Sequence, residues 1–130
     1  MIISFDYHGV CDANPMIFSL LTKVLMDSGN DVYIITGRMK KDNLEKDLIE
    51  LGISFTRIFS IIDYNVDKGN PVRFDEKGEP WIEDELWKKT KAEICREQKV
   101  DLHIDDSDDY EKYFTTPYAR FHNNGETKRN

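Results

Sequence analysis

Short apolar runs that do not alternate with polar residues are what most constrains this chain. Ile2–Phe5 halts at Asp6 and Gly9, Asp31–Ile35 halts at Thr36-Gly37-Arg38, and Leu102–Ile104 halts at Asp105 and Asp106. Further strand candidates lie near Thr56–Ile62 and at Tyr118–Phe121. A strand wetted on one face alternates, whereas runs of this kind belong to strands covered on both. Helical patterns separate them. Asn14 and Pro15 supply a cap and a first helical position, and Ile17, Leu20, Leu21, Val24 and Leu25 form one apolar face before Gly29. Asp42 can cap a helix carrying Leu44, Leu48 and Leu51, with Gly52 beyond it. A further helix covers part of 83–98. Strand and helix in alternation predict an α/β fold of three layers, a Rossmann-like parallel sheet flanked by helices.

Residues 63–85 interrupt this rhythm. Extended stretches at Pro71–Phe74 and Pro80–Ile82 flank Asp75-Glu76-Lys77-Gly78, which predicts a small hairpin insertion with glycine at its turn. With 130 residues, the chain suits one domain over 1–122 followed by a frayed polar tail over 123–130.

In open parallel sheets, ligands sit beyond the carboxyl ends of the strands. Asp6, Thr36 and the Asp105–Asp106 pair all fall there. Aspartate is a poor strand residue, and two adjacent carboxylates closing a buried strand repel each other unless a hard cation relieves them. Capping a turn is the plainer account of Asp6 alone, and a solvated acidic loop the plainer account of the pair. Three strand ends bearing such groups on one rim favour a ligand site. A formal net charge of −7 argues against broad nucleic-acid binding and against adsorption to an anionic membrane. Cys11 and Cys95 have no zinc or redox spacing and read as free thiols, and no run is apolar and long enough for a membrane span. A cytoplasmic protein is expected.

Phe5-Asp6-Tyr7-His8-Gly9-Val10, Ile35-Thr36-Gly37-Arg38, a helical lysine and Leu102-His103-Ile104-Asp105-Asp106 occur in that order across residues 2–121. This arrangement resembles the four motifs of the haloacid dehalogenase-like superfamily, in a small form with no large cap. The resemblance implies a Mg²⁺-dependent phosphohydrolase in which Asp6 is the nucleophile and an aspartyl-phosphate the intermediate. It implies Mg²⁺ held by the Asp6 carboxylate, the His8 backbone carbonyl and Asp106. Asp105 would be a further ligand or, like Asp109, a support for the ligands. Thr36, the Gly37 N–H and a lysine would hold the phosphoryl group. Lys91 fits that lysine whether Thr90 opens the helix or the helix starts near Glu83 and groups Lys91 with Trp87, Ile94 and Cys95; Lys88 and Lys89 are the alternatives.

One position departs from the pattern. His8 stands where the superfamily carries its second aspartate, the general acid/base. Histidine can perform both proton transfers near neutral pH. If His8 only fills the turn, a catalytically weak or inactive phosphate- or metal-binding module is expected instead. Arg38 and the hairpin are candidates for contact with the rest of a phosphorylated substrate, small or large, and Arg38 serves equally as a structural partner of an acidic loop. Trp81 and Trp87 read as core or staple residues more readily than as a substrate platform.

Overall fold

The computed structural model describes residues 1–123. Its main sheet is β1 (Ile2–Phe5), β2 (Asp31–Thr36), β3 (Arg57–Ser60), β6 (Leu102–Asp105) and β7 (Tyr118–Arg120), ordered β3-β2-β1-β6-β7. Every pairing in it is parallel, with Phe5 opposite Ile34 on one side and Ile104 on the other. The chain travels outward from β1 to β3 and returns to β6 on the far side of β1. The order therefore reverses between β1 and β6, which opens a crevice at their carboxyl ends.

Pleating sends alternate side chains to opposite faces. Ile3, Phe5, Val32 and Ile34 pack under α1 (Pro15–Asp27) and α2 (Leu44–Glu50) with Phe18, Leu44 and Leu48. Tyr33 and Ile35 pack on the other face against Ile94 and Cys95 of α4 (Asp84–Glu97), with Tyr64 of α3 (Ile61–Lys68) nearby. Phe5, Ile34 and Ile35 are fully buried, each contributing about 1.5–3 kcal/mol of transfer free energy. The expected α/β sheet with helices on both sides is present.

Three local expectations need correction. Of the stripe Ile17, Leu20, Leu21, Val24 and Leu25, only Leu25 packs against the core; the other four face outward, with Leu20 65 % exposed, while Phe18 (3 %) and Thr22 face the sheet. Thr22 sits there without cost because its hydroxyl donates to the Phe18 carbonyl at 2.6 Å. Residues 61–68, expected as the end of the Thr56–Ile62 strand and the start of the interruption at 63–85, form α3, whose N-terminus is capped by Ser60 Oγ accepting from the Asp63 N–H at 3.2 Å. Neither Asn14 nor Asp42 caps through its side chain: Asn14 makes no such bond, and the residue preceding α2 is Asn43, in the left-handed region at φ 62°.

The hairpin forms as β4 (Val72–Phe74) against β5 (Pro80–Ile82), with Gly78 at φ 80° in its turn. Asn123, the first residue of the expected tail, donates to the Gly9 carbonyl at 3.1 Å, and 124–130 lie outside the described residues. Cys11 and Cys95 are free and buried. Among the described residues, no helix is long and apolar enough to cross a membrane.

Candidate active site

Chain direction alone brings the acidic residues together, since β1 and β6 are parallel neighbours that end at the same rim. Carboxylate oxygens of Asp6, Asp105 and Asp106 lie within 4.8 Å of one another. Lys91 reaches them from α4. Its Nζ is 3.0 Å from Asp6 Oδ1 and 2.8 Å from Asp105 Oδ2, and the ammonium is buried. The helix starts after Glu83, so Thr90 is not its cap: the Thr90 hydroxyl donates to the Leu86 carbonyl at 2.6 Å. Lys88 is spent on Asp84 at 3.1 Å, one turn away on the helix surface, and Lys89 does not line the cavity.

Asp105 and Asp6 are held differently. Asp105 Oδ2 also accepts from His103 Nε2 at 2.9 Å, and Oδ1 accepts from the Ser107 N–H at 3.2 Å. A carboxylate only accepts, so His103 Nε2 carries a proton. Burial, against the pull of Asp105, lowers the His103 pKa and keeps the ring neutral. Nδ1 then accepts from Ser4 Oγ at 2.7 Å. Burial would raise Asp105, but the Lys91 charge and the His103 bond outweigh it and hold that carboxyl below the usual range. At Asp6, burial dominates the Lys91 attraction and, with Asp105 nearby, pushes the carboxyl well up. Asp106 is raised by burial and by Asp105. For Lys91, burial is overcome by Asp6 and Asp105, which hold it above the usual lysine range. The cluster is thus one firmly ionised carboxylate tied to one ammonium, beside two carboxyl groups short of positive charge.

Asp6 Oδ1 also accepts from the Tyr7 N–H at 2.8 Å. The turn over Tyr7–Cys11 requires Gly9, which has φ 85° and would place a Cβ 2.1 Å from Asp106 Oδ2. His8 is 79 % exposed at its side chain, and its Nδ1 is 2.9 Å from Asp12 Oδ2, while Asp12 Oδ1 accepts from the Gly9 N–H at 2.7 Å. Thr36 ends β2, buried, and its Oγ1 accepts from the Arg38 N–H at 3.3 Å.

A cavity of about 810 Å³ opens on these groups and is lined by Asp6, His8, Thr36, Gly37, Arg38, Lys91 and Asp106 together with Tyr7, Asp12, Trp87, Ser107 and Tyr110. Arg38 lines it while also bonding the Asp42 carbonyl and Asp47 of the α2 region, its guanidinium 5.3 Å from the Tyr7 ring centroid. Asp109 is not gathered in. It is exposed and outside the lining, its N–H donating to Ser107 Oγ.

Asp12, Trp87 and Tyr110 were not among the residues anticipated for the site. A signal existed for two of them: Asp12 follows His8 by four residues within one turn, and Trp87 precedes Lys91 by four on α4. Trp87 rests on Gly37, where a Cβ would meet its ring at 2.1 Å, and its Nε1–H donates to the Tyr110 hydroxyl at 2.9 Å. No protein-family model, curated protein or solved structure matches the chain.

Proposed function

We propose that this crevice belongs to a Mg²⁺-dependent phosphohydrolase that works through an aspartyl-phosphate on Asp6, as in the haloacid dehalogenase-like enzymes its motifs resemble. One observation carries the reading. Three carboxylates and one buried lysine converge at the sheet's reversal point.

The donors suit a hard divalent cation. Asp6 and Asp106 offer carboxylate oxygens, the missing Gly9 side chain leaves them room, and Asp105 is committed to Lys91 and His103. Bound there, Mg²⁺ would supply positive charge that ionises Asp6 and draws electron density from the phosphoryl oxygens. The protein's own groups supply the rest. An Asp6 oxygen attacks phosphorus, a P–O(Asp) bond forms and the bond to the leaving oxygen breaks. His8 donates a proton to that oxygen through Nε2, with Asp12 orienting the ring from Nδ1. Neutral His8 then accepts a proton from the water that cleaves the acyl phosphate. Lys91, Thr36 and the Gly37 N–H bind the phosphoryl oxygens, and Lys91 stays cationic because Asp105 is bonded to it.

The test is phosphate release from p-nitrophenyl phosphate and a panel of phosphomonoesters, with Mg²⁺ and with chelator. Metal-dependent release that Asp6→Asn eliminates is expected. Unchanged release in Asp6→Asn removes Asp6 as nucleophile. No release, combined with thermal stabilisation by Mg²⁺, identifies a binding module built on the same rim.

A further inference from the structure

The cavity is far larger than a phosphoryl group needs, and three aromatic side chains contribute to its walls. Tyr7, Trp87 and Tyr110 line it, and Trp87 is fixed by the Gly37 contact beneath its ring and by its bond to Tyr110. Trp87 also lines a second, shallower cavity of about 490 Å³ with Pro80, Trp81, Ile82 and Asp84. One indole thus lines both spaces. Spacing along α4 sets their relation: Lys91, which touches Asp6, is four residues from Trp87, one turn and about 5–6 Å on the same helix face.

Trp81 is unusual on its own account. Far from being a core residue, it is 54 % exposed on a two-stranded ribbon, where a solvent-facing indole gains little from folding. Arg73, its cross-strand partner, lies with its guanidinium 4.2 Å from the ring centroid and covers one face. Arg73 stacked on the ring orients it while more than half of the residue stays exposed, and an exposed, oriented ring can serve flat ligands by stacking. The adjoining Asp84 carboxylate, paired with Lys88 at 3.1 Å, can still accept a hydrogen bond from a ring N–H group.

Resting on the phosphohydrolase reading, we infer that the substrate is a phosphomonoester whose leaving group carries a planar nitrogen heterocycle, a nucleoside monophosphate. Its phosphate lies at Asp6 and Lys91, its sugar passes Trp87, and its base stacks in the groove between Trp87 and Trp81. The ring face, not charge, supplies the selectivity, which accords with the net acidic chain.

The chain's two tryptophans are both in this groove, so intrinsic fluorescence reports on it selectively. Asp6→Asn protein in Mg²⁺ prevents turnover during titration with adenosine monophosphate and with ribose 5-phosphate, which lacks the base. Adenosine monophosphate is expected to quench the emission and bind at least tenfold more tightly. Trp81→Ala added to that background, a change at an exposed position that leaves Trp87 as reporter, should remove most of the tenfold preference and leave ribose 5-phosphate affinity unchanged. Equal affinities for the two ligands, or a preference that survives Trp81→Ala, overturn the inference. Release of phosphate from both ligands with equal kcat/KM upholds the phosphohydrolase and removes the aromatic groove from recognition. Quenching by adenosine monophosphate without release from any phosphomonoester does the opposite.

Discussion

Asp105 and Leu20 break the usual rule of burial in opposite directions. At the strand-end rim a carboxylate is fully buried, and on the outward side of α1 a leucine is 65 % exposed among Ile17, Leu21 and Val24. The buried Asp105 carboxylate is tolerated because it is fully partnered: Lys91, His103 and the Ser107 N–H all reach it. The α1 stripe needs no partner to be tolerated, since an exposed aliphatic side chain forgoes stabilisation without incurring a desolvation penalty. Burial at the rim is thus tightly conditional, and exposure on α1 is nearly free.

That contrast is open to direct attack, starting where the effect is largest. Lys91→Met leaves Asp6 and Asp105 buried without a cation, and the loss of unfolding free energy in urea should reach about 3–5 kcal/mol. Phe18→Ala, on the sheet side of α1, should cost a similar ~3–5 kcal/mol by opening a cavity. A Lys91→Met protein as stable as the parent would mean that the rim charges are not mutually dependent.

The next effect is on pH. Asp6 and Asp106 have folded pKa values raised above the ordinary carboxylate range, so their contribution to stability is full below that range and is lost as pH rises through the raised values. Asp105 is depressed and contributes with the opposite sign, its share being lost only as pH falls below the ordinary range. On the proposed reading Mg²⁺ would bind the ionised carboxylates and should raise the melting temperature more at pH 7.5 than at pH 5; saturation at a hundredfold excess over Kd corresponds to about 2.7 kcal/mol. Equal shifts at the two pH values would disconnect the cation from these carboxyl groups.

The smallest effect tests the other region. Leu20→Gln should change stability by no more than about 0.5 kcal/mol. A loss comparable to that of Phe18→Ala would show that the outward stripe is packed against something in solution.

Legibility in the sequence followed the kind of constraint each residue obeys. Asp6, Thr36 and Asp105 could be placed on one rim because a parallel strand's carboxyl end is marked by where its apolar run stops. α3 was hidden because Ile61 and Ile62 prolong the β-branched run of β3, although Ser60 three residues before Asp63 is a capping signal. Four of the five residues of the α1 stripe turned outward because the helix is apolar on most of its circumference, so periodicity does not fix its rotation. Its rotation was settled by a ring, Phe18, that stacks edge-on against Phe5 at 5.7 Å and Phe121 at 5.0 Å.

The sequence by itself determined the layers, the direction of the strands and which carboxylates share an edge, since these follow from local periodicity and chain order. Only tertiary structure decided that Lys91 bridges Asp6 and Asp105, that Asp109 stays outside, and that Trp87 walls the cavity while Trp81 stands open to solvent. Those outcomes depend on side-chain reach and on competition for partners across distant segments, quantities that no local pattern encodes.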